Sequence, residues 1–261
     1  MIAGISYRHE HRDALLAGAP RALVLEIVPD HFFADPDALA PLAERYPIVF
    51  HDTAMSLATA GDTALAKARL RRIVELARIA RPLWFGDHLA MTRAPSGIDL
   101  GHLAPVWRVP EVLDLVCDRV RALEDVLGVP VVVENIAAPF ELPGATMTEP
   151  ELFHELVART GCGMLLDVTN LRCGAHDARA YPLEAVRQLH LAGGGRDRDA
   201  RWIDSHDAPV DDDAYALLQA IAPRARASVR AIVVERDGKI PPLDELCAEA
   251  ARAARIWEEA I

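Results

Sequence analysis

The chain has 261 residues, with 28 Lys or Arg against 39 Asp or Glu, for a formal net charge of −11. An acidic excess works against binding a phosphate backbone, which relies on cations that displace counterions, and the longest basic run is Arg69-Leu70-Arg71-Arg72. Nucleic acid is therefore not an expected partner. A chain of this length can bury about three quarters of its unfolded surface without crosslinks, so Cys117, Cys162, Cys173 and Cys247, which form no CxxC pair, read as reduced thiols.

The opening Met1–Arg8 is too short an apolar run for a signal sequence, and no run of about 18 apolar residues occurs anywhere. The expected location is the cytoplasm, with no membrane contact. Ten histidines stand against two lysines, Lys67 and Lys239; where those histidines fall directs the functional reading.

In chain order, short apolar runs alternate with helical patterns, the signature of βα units around a parallel sheet. Ala3–Tyr7 and Ala22–Val28 read as the first two strands. Asp35 before Pro36 marks a helix start opening Asp37–Tyr46, and Ile48–His51 is the third strand. Between Thr63 and Arg81, Leu65, Ile73, Leu76, Ala77 and Ala80 share one face, opposite most of the arginines. Leu83–His88 is the fourth strand. In Pro110–Leu127 the set Leu113, Val116, Val120, Leu123 and Leu127 recurs at helical spacing, and Gly128 supplies a left-handed stop. After the fifth strand, Pro130–Asn135, Thr148 and Glu151 make a capping box ahead of Leu152, Phe153, Leu156 and Val157. Met164–Val168, Gln188–Ala192 and Ala231–Glu235 complete the strands, and Leu243–Glu259 is the last helix. The helices after the first and seventh strands look short or irregular.

Eight strands alternating with helices predict an α/β fold, a single (β/α)8 TIM barrel over residues 1–261, with its active site at the carboxyl ends of the strands. A doubly wound open sheet is the alternative, but no GxGxxG or Walker loop supports it, and Gly193-Gly194-Gly195 lacks the required spacing.

Six strand signals end in a residue able to bind metal: His51, His88, Glu134, Asp167, His190 and Glu235. Asp204 and His206 lie in Ile203–Val210, read as the loop after the seventh strand, and Asn170 follows Asp167 by three positions. In a barrel all nine converge on one mouth. Imidazole and carboxylate suit zinc, iron and harder cations, and no cysteine joins the set to draw it toward a thiolate centre. Nine donors exceed one ion's coordination sphere, which implies two or three ions. Taken alone, a histidine such as His190 in Leu189-His190-Leu191 reads as a hydrogen-bonding residue, and Glu134 or Glu235 could be neutralised by histidine or arginine. The set as a whole favours metal. His9, His11, His31, His102 and His154 fall in helix or loop contexts and read as surface or packing residues. His176 divides between a substrate-contacting or ligand-supporting role and a loop hydrogen bond. Asp87 and Asp207, beside His88 and His206, either orient those ligands or face solvent.

The ordered set resembles the metal layout of xylose isomerase-like barrels, including endonuclease IV. Within it, Trp84–Leu89, Glu134-Asn135, Thr160–Asn170, His190–Gly193 and Ile203–Val210 resemble a narrower group, the multinuclear non-haem iron-dependent oxidases typified by the methanobactin and thiaglutamate pathways. The resemblance implies two or three iron ions held by His51, His88, Glu134, Asp167, Asn170, His190, Asp204, His206 and Glu235, with O2 as oxidant. It also implies a cysteine of a ribosomally made precursor peptide as substrate, and a small partner protein that recognises the peptide's leader. Asn170 stands where endonuclease IV-like members carry histidine, and Asp52 follows His51 where the narrower group commonly has glycine. A zinc phosphodiesterase of the endonuclease IV type and a sugar isomerase or epimerase are the competing readings; the acidic balance opposes the first, and neither lysine sits at a strand end for the second.

Overall fold

The computed structural model describes residues 1–18, 23–61, 64–138, 140–174, 176–196, 198–199 and 202–260. Ala22 and Thr63, at the starts of two predicted elements, lie outside these residues. The strands are β1 (Ile2–Ser6), β2 (Val24–Ile27), β3 (Ile48–Asp52), β4 (Phe85–His88), β5 (Met91–Arg93), β6 (Asp99–Ala104), β7 (Val131–Glu134), β8 (Gly163–Asp167), β9 (Val186–Arg196), β10 (Trp202–Ala208) and β11 (Ala231–Glu235). The helices are α1 (Arg12–Ala17), α2 (Ala40–Ala43), α3 (Ala64–Ala80), α4 (Pro110–Leu127), α5 (Glu149–Thr160), α6 (Val168–Gly174), α7 (Asp212–Ala225) and α8 (Leu243–Glu259).

Each expected strand is present within a few residues of its predicted bounds. β1, β2, β3, β4, β7, β8, β9 and β11 pair in parallel, and the ring closes because β9 pairs with both β8 and β11, and β11 with β1. The fold is thus a closed (β/α)8 barrel.

Side chains alternate across the strands, and the two sets are physically separate. Val24, Val49, Trp84, Val132, Leu165, Ala231 and Val233 form one buried cluster, the plug inside the barrel. Leu25, Phe50, Phe85, Val133, Leu166, Leu189 and Val234 belong to the larger core between the barrel and its helices. Burying each such side chain contributes about 1.5–3 kcal/mol. Strands apolar on both faces are what a barrel wrapped by helices requires.

Local signals set the helix ends. Gly128 adopts φ 67° after α4, and the Thr148–Glu151 capping box opens α5. The predicted helix Asp37–Tyr46 is instead a 3₁₀ turn, Pro36–Leu39, followed by the single turn α2. Pro41 has no N–H to donate into the preceding turn, so an α-helix cannot run through from Asp37. Asp35 precedes the turn but makes no side-chain capping bond. Leu65 is 55% exposed rather than packed with Ile73 and Leu76. The helix after the seventh strand is not short: β9 runs on to Arg196, reverses into antiparallel β10, and α7 follows with Pro223 inside its C-terminal turn. The short helices are α1, α2 and α6, after β1, β2 and β8. The hairpin β5–β6, after β4, was not legible in the sequence.

No described helix is long and apolar enough to cross a membrane. The four cysteines are free.

Candidate metal centre

The plug positions the site through the strand period. Two residues beyond each plug side chain the next inward position arrives, so Val24 leads to Glu26, Val49 to His51, Val132 to Glu134, Leu165 to Asp167 and Val233 to Glu235. Gln188 and Gly86 stand in the same relation to His190 and His88. Gly86 also makes room, because a Cβ there would lie 3.0 Å from His51 Nδ1.

Glu134 is the hub. His51 Nε2 and His88 Nε2 each lie 3.1 Å from its Oε2, and His190 Nδ1 lies 3.1 Å from its Oε1. His190 Nδ1 is also 3.2 Å from Glu235 Oε2, and His206 Nδ1 reaches that oxygen at 3.3 Å. His206 Nε2 faces Asp204 Oδ1 at 2.5 Å and Asp167 Oδ2 at 3.8 Å. One atom from each of His51, Glu134 and His190, and one from each of Glu134, Asp167, His190 and Glu235, fall within 4.8 Å of one another.

Most of these atoms converge without making hydrogen bonds. Glu134 Oε2, Asp167 Oδ2, Asn170 Oδ1, Asp204 Oδ1 and both His206 nitrogens are buried and have no hydrogen-bond partner. Buried polar groups without partners are costly, and here the surrounding bonds reserve one atom of each residue. Asp167 Oδ1 accepts from the backbone N–H of Thr169 and Asn170 at 2.6 and 2.9 Å, which leaves Oδ2 free. The Asn170 amide nitrogen donates to Asn135 O at 3.2 Å, which leaves its oxygen free. Asn135 in turn brackets the Asp167 backbone, donating to its carbonyl at 3.0 Å and accepting from its N–H at 2.9 Å. Free oxygen and imidazole donors gathered around shared carboxylates fit two or three borderline-to-hard cations.

The electrostatics agree with that fit. Burial alone would lower His51, but Glu134 and Glu26 carry it up to about 9. His190 is raised well above its usual value against the same penalty of burial, chiefly by Glu235, Glu26 and Glu134. His206, also opposed by burial, is carried to about 12 by Asp204, Asp237 and Glu235. Glu134 and Glu235 are driven in the opposite direction: burial disfavours their charge, yet the neighbouring imidazoles hold them well below the usual carboxylate range. Burial, then Asp204, raises Asp167 to about 7. Protons on these imidazoles occupy positions a cation would take.

Asp204 and His206 lie on strand β10, not on a loop as expected. The hairpin brings them in because its backbones nearly touch: a Cβ on Gly193 would lie 2.0 Å from Pro209 O, and one on Gly194 would lie 2.4 Å from Ile203 O. Gly193 and Gly194 therefore serve close approach, whereas a Cβ on Gly195 would meet nothing within 4 Å. Trp202 stacks on the Arg172 guanidinium at 3.7 Å, and Arg172 is held by Asp211. His206 itself adopts φ 47°, a left-handed backbone that aims the ring inward.

The centre floors a cavity of about 470 Å³ lined by His51, His88, Glu134, Asn170, Asp204, His206 and Glu235. Its lining adds Asp99, Gly101, His102 and Leu103 of β6, and His102 is exposed there, as expected of a surface residue. Arg8 is the one Lys or Arg among the described lining residues; it pairs with Asp237, which also lies 3.3 Å from His206 Nδ1.

Of the three expected supporting residues, Asp87 is buried beside His88, accepting from its backbone N–H at 2.7 Å with its carboxylate 3.8 Å from His88 Nδ1, and the other two sit elsewhere. Asp207 turns outward to Ser205 and Lys239. His176 lies 3.4 Å from Glu149 and against Tyr181, apart from the cavity lining. Asp52 points away from the centre and is gripped by Arg69, which also holds Asp30. Sequence reading missed Glu26, fully buried on β2 and 2.7 Å from His190 Nε2. A glutamate inside the apolar run Val24–Val28 carries the same burial penalty that singled out Glu134, but it sits in mid-strand, away from the strand ends on which the ligand pattern rests. His11 is buried and meets Pro241 O at 2.8 Å, His154 meets Ala180 O at 3.0 Å, and His9 and His31 pack on Tyr7, as expected of packing residues.

A family model described as "RiPP precursor modification enzyme MbnB/TglH/ChrH" matches residues 2–258. Among curated relatives, a UPF0276 protein of Caulobacter vibrioides is 34% identical, with 97% of this chain and 93% of that protein covered. One of Bordetella parapertussis is 37% identical over 97% of this chain and 91% of its own. Among solved structures, the D-psicose 3-epimerase of Clostridium cellulolyticum superposes with a TM-score of 0.67 at 13% identity, covering 100% of this chain and 99% of that one. Endonuclease IV of Thermus thermophilus does so at 0.59 and 21% identity, covering 99% and 98%. Both likenesses concern the fold, a xylose isomerase-like barrel.

Proposed function

The chain belongs to the MbnB/TglH/ChrH family of RiPP precursor modification enzymes, and from that membership we propose that it is an iron-dependent oxidase that uses O2 to modify a cysteine residue of a ribosomally made precursor peptide. The observation that carries the reading is the convergence of buried, hydrogen-bond-free donor atoms around Glu134 and Glu235. His51, His88, Glu134, Asp167, Asn170, His190, Asp204, His206 and Glu235 would hold two or three iron ions. Iron held there would supply the redox chemistry, taking electrons from the cysteine and passing them to O2.

The chain's own residues do the rest. Glu134 faces His51 and His88 through Oε2 and His190 through Oε1, and Glu235 faces His190 and His206 through Oε2, so both carboxylates would help hold the ions beside those imidazoles. The cavity has room for a cysteine and its immediate neighbours. Val28, Ala54 and Leu103 present apolar wall, while Arg8, Asp99 and His102 offer polar contacts to peptide groups. A small partner protein that recognises the leader would supply affinity for the remainder of the peptide. The acidic balance and the single arginine among the described cavity residues weigh against a phosphodiester substrate.

Anaerobic purification with iron quantification, then incubation with a candidate cysteine-containing precursor peptide, tests the reading by mass spectrometry. Two or three irons per chain and an O2-dependent mass change on the cysteine-bearing fragment are expected. At most one iron, with zinc-supported cleavage of abasic-site DNA, overturns it.

A further inference from the structure

His190 touches carboxylates through both ring nitrogens. Nδ1 faces Glu134 Oε1 and Glu235 Oε2 at 3.1 and 3.2 Å, on the side of the converging donors, and Nε2 faces Glu26 Oε2 at 2.7 Å. A neutral imidazole that ligates through one nitrogen keeps its single proton on the other. The residues behind Nε2 therefore decide how the ring is presented.

Those residues form a directed chain. The indole Nε1–H of Trp84 can only donate, and it donates to Gln188 Oε1 at 2.6 Å. That contact fixes which way round the Gln188 amide lies, so its Nε2 must face inward. There Gln188 Nε2 donates to Glu26 Oε2 and lies 2.7 Å from His190 Nε2. With its N–H directed to Glu26, Gln188 presents His190 Nε2 with a nitrogen that cannot accept, so the one acceptor facing that ring nitrogen is Glu26. The Glu26 carboxylate, fully buried, is the stronger acceptor for the Nε2 proton.

We infer that Trp84, Gln188 and Glu26 are a positioning relay that commits His190 to ligate metal through Nδ1, with Nε2–H held by Glu26. None of the three is among the nine candidate ligands, and Trp84 lies in the apolar plug. A carboxylate behind a ligating histidine orients the ring and raises its basicity, and loss of such a partner lowers metal affinity about 10–100-fold. The relay also explains why the β9 plug position carries Gln188 where β7 and β11 carry Val132 and Val233: an aliphatic side chain there could not couple Trp84 to Glu26.

The inference rests on the metal-centre reading, and zinc serves as a diamagnetic probe for both. In the zinc-loaded protein, proton–nitrogen correlation spectra should show His190 protonated at Nε2 and metal-bound at Nδ1. Competitive titration against a chelating dye should show zinc affinity about 10–100-fold lower in Glu26→Leu, with Glu26→Gln, which keeps an acceptor, recovering most of it. Trp84→Phe, which deletes only the donor that sets the amide, should lose affinity by a smaller factor. A purely structural Glu26 would lower the melting temperature in both Glu26 variants and leave zinc affinity unchanged. That result, or a His190 ligated through Nε2, overturns the relay. If the unsubstituted protein binds neither zinc nor iron(II), the metal-centre reading falls instead.

Discussion

At the scale of single residues, His51 and His190 are raised while the facing carboxylates Glu134 and Glu235 are lowered. That arrangement fixes a pH dependence. A histidine raised in the fold, such as His51 at about 9, contributes stability in full below its unfolded value near 6.5 and loses it as pH rises through 9. Asp167, raised to about 7, also favours the fold while protonated, and its contribution fades as pH rises from its unfolded value through 7. Glu134 and Glu235 stay ionised throughout that range and add no slope. The metal-free protein should therefore lose thermal stability between about pH 6 and pH 9 through these groups, while its affinity for iron(II) rises as protons cease to compete. Calorimetric titration at neutral pH in two buffers of different ionisation enthalpy should report proton release on metal binding. An uptake of protons would contradict this assignment of charges.

At the scale of elements, the β9–β10 hairpin is the least regular part of the barrel and carries Asp204 and His206. Its geometry depends on the absence of a side chain at Gly193, where a Cβ would lie 2.0 and 2.2 Å from two backbone carbonyl oxygens. Gly193→Ala should push β10 outward, lowering the metal content of the purified protein while the parallel barrel remains folded. Thr148→Ala is the matching control: it removes the α5 capping box, costs about 1 kcal/mol in urea denaturation, and should leave metal content unchanged. Much at this scale was legible in the sequence. Strand runs and caps are short-range patterns, and Gly128 and Thr148 behave as read. The helix expected at Asp37–Tyr46 fails for a local reason as well, since Pro41 breaks the pattern that the capping signal opens. The β5–β6 and β9–β10 hairpins were not legible, because pairing is decided by where the barrel rim leaves an open edge, and Asp204 and His206 carry no strand signature of their own.

At the scale of the whole molecule, the candidate ligands come from β3, β4, β7, β8, β9, β10 and β11 and so span most of the ring. Cations bound among them can form their sites only in the closed barrel, so binding energy would add to folding energy. With free iron(II) at about 100 times its dissociation constant, stability should rise by about 2.7 kcal/mol per site, or about 5–10 °C in melting temperature for a chain of this size. Anaerobic thermal melts with and without iron(II) measure it. An unchanged melting temperature at saturating metal would mean that the donors do not act together on a bound ion.

What the sequence by itself determined was the barrel and the candidate ligand positions at its strand ends. Both follow from a strand period of two and the cost of burying charge in an apolar run, which are properties of neighbours along the chain. Only the tertiary structure decided which atom of each ligand is free. Asp167 and Asn170 are oriented by Asn135, 32 and 35 residues away, and His190 by Glu26, 164 residues away. Asn135 meets Asp167 and Asn170 once β7 pairs with β8, and Glu26 meets His190 across the barrel only when the ring closes. Hydrogen-bond direction depends on that closure, and no spacing along the chain encodes it.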